Sequence, residues 1–200
     1  MAALKNPSNT PRPYISWSQY SLFLRSKEQY KKVYIYGEEF DNKYMVLGRR
    51  VAEILEKDEA DNLTTAHIKN FIPMCPKREY EIKVDFQGVS LYGKLDQFNP
   101  RTKALRETKT GKKWTQARAD KHEQLDFYAL LVYAKYGVLP SKIHLDWAET
   151  QENDGSVALT GRVENFTTKR TMADVLRIAN KIKVVWEGIK KLTAEEYAKI

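Results

Sequence analysis

Apolar and polar positions follow two different periods along this chain. From Glu79 to Phe86, the apolar Tyr80, Ile82, Val84 and Phe86 alternate with Glu79, Glu81, Lys83 and Asp85, which predicts a half-buried strand. Gln87-Gly88 turns the chain into a second strand from Val89 to Phe98, and Asn99-Pro100 into a third from Lys103 to Thr108, an antiparallel meander. Helical spacing appears from Asn42 to Lys57, where Leu47, Val51, Ile54 and Leu55 share one face. An earlier helix opens at Ser16, paired with Gln19 as a capping box, and runs to about Lys32 with Trp17, Tyr20, Phe23 and Tyr30 along it. After a turn near Gly37 and the strands come a helix from Thr115 to Tyr136, ended by Gly137 and Pro140, and strands at Ile143–Glu149 and Val157–Val163. Thr171 and Asp174 start a last amphipathic helix reaching about Leu192. The order ααβββαββα predicts an α/β fold of the α+β type, a mixed central sheet flanked by helices. Residues 1–13, with three prolines, read as a flexible arm, 14–192 as one domain and 193–200 as a tail.

Composition narrows the partner. The formal charge of +8 and a pI near 9.3 favour a polyanion. Lys103, Arg106, Lys109, Lys112, Lys113, Arg118 and Lys121 crowd one segment. A single cysteine, Cys75, makes neither an internal disulfide nor a metal–thiolate cluster. There is no apolar run of membrane-spanning length and no signal-peptide pattern, so the expected location is intracellular, away from membranes.

Candidate chemistry lies in that basic segment. Glu107 and Lys109, two apart on a strand, project to one face, and Asp96 lies on the partner strand across the Asn99-Pro100 turn. Two carboxylates, with the Thr108 carbonyl at the edge, suit a hard ion such as Mg2+ or Mn2+ beside a phosphodiester. Lys109 could orient the nucleophile or stabilise the transition state. Gln124 and Tyr128, at i and i+4 of the following helix, can hold the lysine or a phosphate. Each residue has a plainer reading alone: Asp96 as a turn cap, the others as a solvated strand or helix face. Lys112, Lys113, Trp114, Arg118 and Lys121 are the candidate nucleic-acid contacts, with Trp114 as a base-stacking side chain; the aromatics of the first helix read better as core.

The runs GKLD ending at Asp96, LRETKTG ending at Gly111 and QLDFY ending at Tyr128 resemble the signature of the PD-(D/E)XK nuclease superfamily. The Gln124/Tyr128 element is similar to the branch typified by the RecB nuclease domain and its stand-alone relatives in phages and CRISPR adaptation, and the opening YISWSQYSLF resembles that branch's first helix. The resemblance spans roughly Tyr14 to Leu192 and implies a restriction-endonuclease-like fold. It implies metal ligation by Asp96 and Glu107, catalysis by Lys109, and support from Gln124 and Tyr128. Two departures stand out. The family's helix ligand, four residues after a glycine, falls on Ala52 after Gly48, leaving neighbouring Glu53, or Glu79 from the first strand, as substitutes. The cysteine quartet that holds an iron–sulfur cluster in several relatives is absent, so no such cluster is expected. The implied function is a metal-dependent deoxyribonuclease, an exonuclease or end-processing enzyme of recombination, repair or phage replication. It would act on single-stranded DNA or duplex ends, with a helicase or recombination protein as a possible partner. The alternatives are a structure-selective endonuclease and a DNA-binding module whose site has decayed.

Overall fold

A computed structural model describes residues 10–199. Its elements are β1 (Ile15–Ser16), α1 (Trp17–Arg25), α2 (Lys27–Tyr30), a π-helical turn (Lys31–Ile35), α3 (Lys43–Lys57) and α4 (Leu63–Phe71). Then come β2 (Lys77–Phe86), β3 (Val89–Phe98), β4 (Leu105–Gly111), α5 (Gln116–Asp120) and α6 (Glu123–Tyr136). The chain ends with β5 (Ile143–Asn153), β6 (Ser156–Thr168) and α7 (Met172–Tyr197). The six strands form one mixed sheet with helices packed against it, the expected fold class and one compatible with a restriction-endonuclease-like architecture. Among the described residues, no helix is long and apolar enough to cross a membrane.

β2 pairs with β3 along nearly its whole length, as the alternation predicts. The next hairpin behaves differently. β3 and β4 pair only at Gln97↔Arg106 and Phe98↔Leu105, while β1 pairs in parallel with the far end of β3 at Ile15↔Leu91 and Ser16↔Tyr92. One more step of the β3–β4 register would set Asp96 against Glu107, so the two strands fork where those carboxylates stand. β4 then runs parallel to β5 from Leu105↔Ile143 to Gly111↔Glu149, with α5 and α6 as the crossover.

Several element boundaries differ from expectation, each for a local reason. The first helix breaks at Ser26, whose extended backbone lets its hydroxyl cap Gln29 N–H. The expected single helix from Thr115 to Tyr136 is two helices. The buried Arg170 guanidinium donates to the Ala119 and His122 carbonyls (3.2 Å each), supplying at the break the partners that a continuous helix would have supplied. Nothing in the sequence reading anticipated α4, which Asn62 and Thr65 open as a reciprocal capping box. The last helix continues past Leu192 to Tyr197, burying Thr193 and Glu196, so most of the proposed tail is helix. The proposed arm lies outside the described residues up to residue 9; beyond it Thr10 is buried and Arg12 lies over the Tyr34 ring.

The core confirms the periodicities. Leu47, Val51, Ile54 and Leu55 of α3 are all buried, as are Tyr20, Phe23 and Tyr30. One glycine allows a close approach beside the site. At Gly93 an added Cβ would collide with the buried Leu131 Cδ1 of α6, so α6 packs on β3 where a side chain would have to displace it. At Gly48 a Cβ would stand 3.4 Å from Thr110 Oγ1, an ordinary contact that marks how near α3 lies to β4.

Candidate active site

The fork between β3 and β4 opens into a cleft of about 510 Å3. Asp96, Glu107, Thr108 and Lys109 line its floor, and α3 contributes Gly48 and Ala52. Asp96 keeps β4 in reach where the ladder has ended: its Oδ2 accepts from Thr108 N–H at 2.7 Å. On β4, Glu107 Oε1 accepts from Lys109 Nζ at 2.5 Å and from Gln124 Nε2 at 2.7 Å. Gln124 also donates to the Tyr128 hydroxyl (2.9 Å), and that hydroxyl donates to the Lys94 carbonyl (3.1 Å) on the stretch of β3 that β1 and β4 leave free along one edge. A chain of hydrogen bonds from α6 thus spans the fork and fixes Glu107 from behind. The five residues singled out as catalytic candidates in the sequence therefore converge.

Charge in this group is unbalanced. Glu107 is buried, and its second oxygen, Oε2, has no hydrogen-bond partner. Burial raises the Asp96 carboxyl well above the usual carboxylate range, and the neighbouring Glu107 adds to the effect. Burial likewise raises Glu107, against the opposing pull of Lys109. Tyr128 is pushed up by burial and by both carboxylates. An unpartnered carboxyl oxygen, next to a second, half-buried carboxyl, is a donor set that a divalent cation would complete. Among the described residues, no group of three or more His, Cys, Asp or Glu is placed to hold a metal; a cation at the fork would have only this pair and a backbone carbonyl such as that of Thr108 to hold it.

The other proposed residues fare unevenly. Glu53 is exposed on α3 while Ala52, one residue back, lines the cleft, so Glu53 does not fill the empty ligand position. Helical geometry decides this, since a step of one residue turns the side chain about 100° away. Glu79 is not in the cleft wall either; its carboxylate pairs with Lys94. Trp114 is buried, with Arg118 over its ring (4.0 Å to the centroid) and His122 edge-on, so its indole supports the loop and has no open face for a base. Arg118 is tied down as well, donating to the Lys113 carbonyl at 3.0 Å. Lys112, Lys113 and Lys121 are exposed beside the cleft without lining it. Arg106 leaves the basic cluster altogether: it is buried and makes a bidentate pair with Asp146 (2.9 Å each).

The cleft's own cations, besides Lys109, are Arg25 from the end of α1 and Arg49 from α3, with Phe40, Tyr44 and Met45 around the mouth. Sequence reasoning passed over all five. Only Arg49 carried a signal, standing next to Gly48 on a helix already assigned to the site.

No family model and no curated protein matches this chain. Among solved structures, one named "Putative exonuclease" from Eubacterium rectale superposes with a TM-score of 0.59 at 15% identity, covering 92% of this chain and 82% of that one. A phage related exonuclease from Haemophilus somnus 129PT superposes with a TM-score of 0.51 at 14% identity, covering 86% of this chain and 81% of its own. At such identities the likeness establishes a shared fold.

Proposed function

We propose that this protein is a metal-dependent deoxyribonuclease of the PD-(D/E)XK superfamily, RecB-like branch, working as an exonuclease or end-processing enzyme in recombination, repair or phage replication. The observation that carries the reading is the Glu107 carboxylate, buried beside Asp96 with one oxygen unpartnered, at a strand fork open to a cleft. The names of the two structures sharing the fold point the same way. Asp96 and Glu107 would hold Mg2+ or Mn2+. When bound, such an ion lowers the pKa of a coordinated water and offsets charge on the scissile phosphate.

The protein's own groups do the rest. Asp96 and Glu107 supply the negative charge that keeps a cation at the fork. Lys109, hydrogen-bonded to Glu107 and lining the cleft, can swing its ammonium toward phosphate oxygens, where charge builds as the phosphodiester is attacked. Gln124 holds Glu107 in place, and Tyr128 holds Gln124. Arg25 sets positive charge on the cleft wall for the substrate backbone, while Arg49 lines the wall paired with Asp41.

A non-catalytic DNA-binding module is the second reading, and Ala52 is what favours it, because it lines the cleft at the ligand position and cannot bind metal. One experiment separates the two. Purified protein with end-labelled single-stranded and duplex DNA should cleave with manganese and not with EDTA. Asp96→Asn and Glu107→Gln should each reduce cleavage at least ~10²-fold with the melting temperature preserved. Metal-independent cleavage, or wild-type turnover in either variant, would refute the site assignment, and no cleavage by wild type would favour the binding module.

A further inference from the structure

The outer half of the cleft plays no part in holding Asp96 and Glu107, yet its side chains are specific in type. Phe40, Tyr44 and Met45 line the mouth while remaining 48%, 45% and 42% exposed, three large side chains gathered at one cleft. Tyr44 and Met45 are not loosely placed. Asn42 caps α3 by accepting from both Tyr44 N–H and Met45 N–H (3.0 Å each), and the Tyr44 hydroxyl donates to Glu152 on β5. That anchor fixes the ring at the mouth. Arg25 lines the same wall, exposed and without a carboxylate partner among the described residues.

Aromatic rings beside an unpaired guanidinium suit stacked bases joined by a phosphate backbone. The form of that strand follows from the stacking: a base paired and stacked inside a duplex offers these rings no free face, whereas the base at an unpaired end does.

We propose that Phe40 and Tyr44 form a stacking platform for the unpaired end of a nucleic-acid strand, and that Arg25 meets its backbone phosphate. The platform orients the strand so that its next phosphodiester lies over Asp96 and Glu107. This inference rests on the nuclease reading of the cleft floor, and it makes an unpaired end, not an intact duplex, the form in which substrate enters.

The test is binding without hydrolysis. In EDTA, a fluorescein-labelled oligothymidine is titrated with protein and followed by anisotropy, and an oligonucleotide ending in 2-aminopurine reports stacking through quenching. Phe40→Ala and Tyr44→Ala should each weaken oligothymidine binding roughly tenfold and relieve the quenching, the scale set by base–aromatic stacking. Phe40→Trp, which keeps a ring, should retain both, and Tyr44→Phe, which keeps the ring and loses its Glu152 anchor, should fall between wild type and Tyr44→Ala. Arg25→Ala should weaken binding and flatten its salt dependence. A blunt hairpin duplex should bind more weakly and be indifferent to the aromatic substitutions. Alanine variants that bind and quench like wild type, or a blunt duplex with the same dependence on Phe40 and Tyr44, would overturn the platform. Binding and quenching by a wild-type protein that cleaves nothing with manganese would instead defeat the nuclease reading and leave the platform standing.

Discussion

One oxygen of Glu107 takes two donors, Lys109 and Gln124, while the other faces none, so the residue is positioned on one side and available on the other. Lys109 shares that division. Its ammonium is paired with Glu107 in the resting protein, and its side chain, about a quarter exposed, lines the cleft. If it acts on the transition state, Lys109→Ala should lower turnover roughly 10²-fold or more while the DNA dissociation constant changes little. Steady-state cleavage and equilibrium binding, measured on the same variant, decide this; a loss confined to affinity would make Lys109 a phosphate contact. His122 makes a prediction of another kind. Packed between Trp17 and Trp114, it is lowered to a pKa of about 4, first by burial and then by Lys109. Its folded pKa lies below the ordinary value near 6.5, so below about pH 6.5 the unfolded chain binds a proton that the folded one refuses. The His122 contribution should therefore be fully present above pH 6.5 and be lost as pH drops toward 4, against an opposite trend from the raised carboxyls of Asp96 and Glu107. Denaturant melts across that window should show wild type losing stability relative to a neutral His122→Asn variant as pH falls, whatever the offset between them at pH 7.

At the scale of elements, the site exists because two ladders compete for β3. β1 holds one end and β4 the other, leaving the middle of that edge to Asp96, to the Lys94 carbonyl and to the α6 side chains that reach it. α3 closes the cleft from above and offers Ala52 where a ligand would fit. Ala52→His should therefore bind manganese roughly tenfold or more tightly than the wild-type chain in a calorimetric titration, since losing even an indirect partner of a metal ligand commonly costs that much. Unchanged affinity would mean that α3 does not present this position to the ion. Such element-level features were unequally legible. Alternation from Tyr80 to Phe86 and the α3 face from Leu47 to Leu55 could be read directly, because burial on one face imposes a period on the residues themselves. The fork could not: pairing stops after Gln97 because of what β1 and α6 do, and no local pattern at Gln97 records it. The break at His122 was hidden for the same reason, its stabilising Arg170 being far along the chain. The motif residues were legible by their order and types. The mouth residues Phe40 and Tyr44 were not, since they lie in a loop and at a helix start, outside any periodic pattern.

Over the whole molecule, the excess positive charge is spent unevenly. Arg106 and Arg170 are buried against Asp146 and Asp126, tying β4 to β5 and α6 to the segment before α7, and they offer nothing to a partner. The surplus of +8 is left to exposed groups, among them Lys112, Lys113 and Lys121 on the loop and helix that follow β4. These lie beyond the cleft wall, so they would meet phosphates flanking the reacting one and act as point charges with no demand on sequence. Affinity for a single strand should consequently fall steeply as salt rises, each neutralised phosphate adding about −0.7 to the slope of log K against log salt. The double variant Lys112→Ala/Lys113→Ala should flatten that slope by up to ~1.4 if both lysines meet a phosphate, twice the single-phosphate value. Its effect should be the same on every sequence tested, and 2-aminopurine quenching at saturating protein should be untouched because stacking at the mouth is separate. Anisotropy titrations over a salt series measure both quantities. A slope unchanged by the double variant would confine the phosphate contacts to the arginines of the cleft, and the flanking lysines would then serve solubility alone.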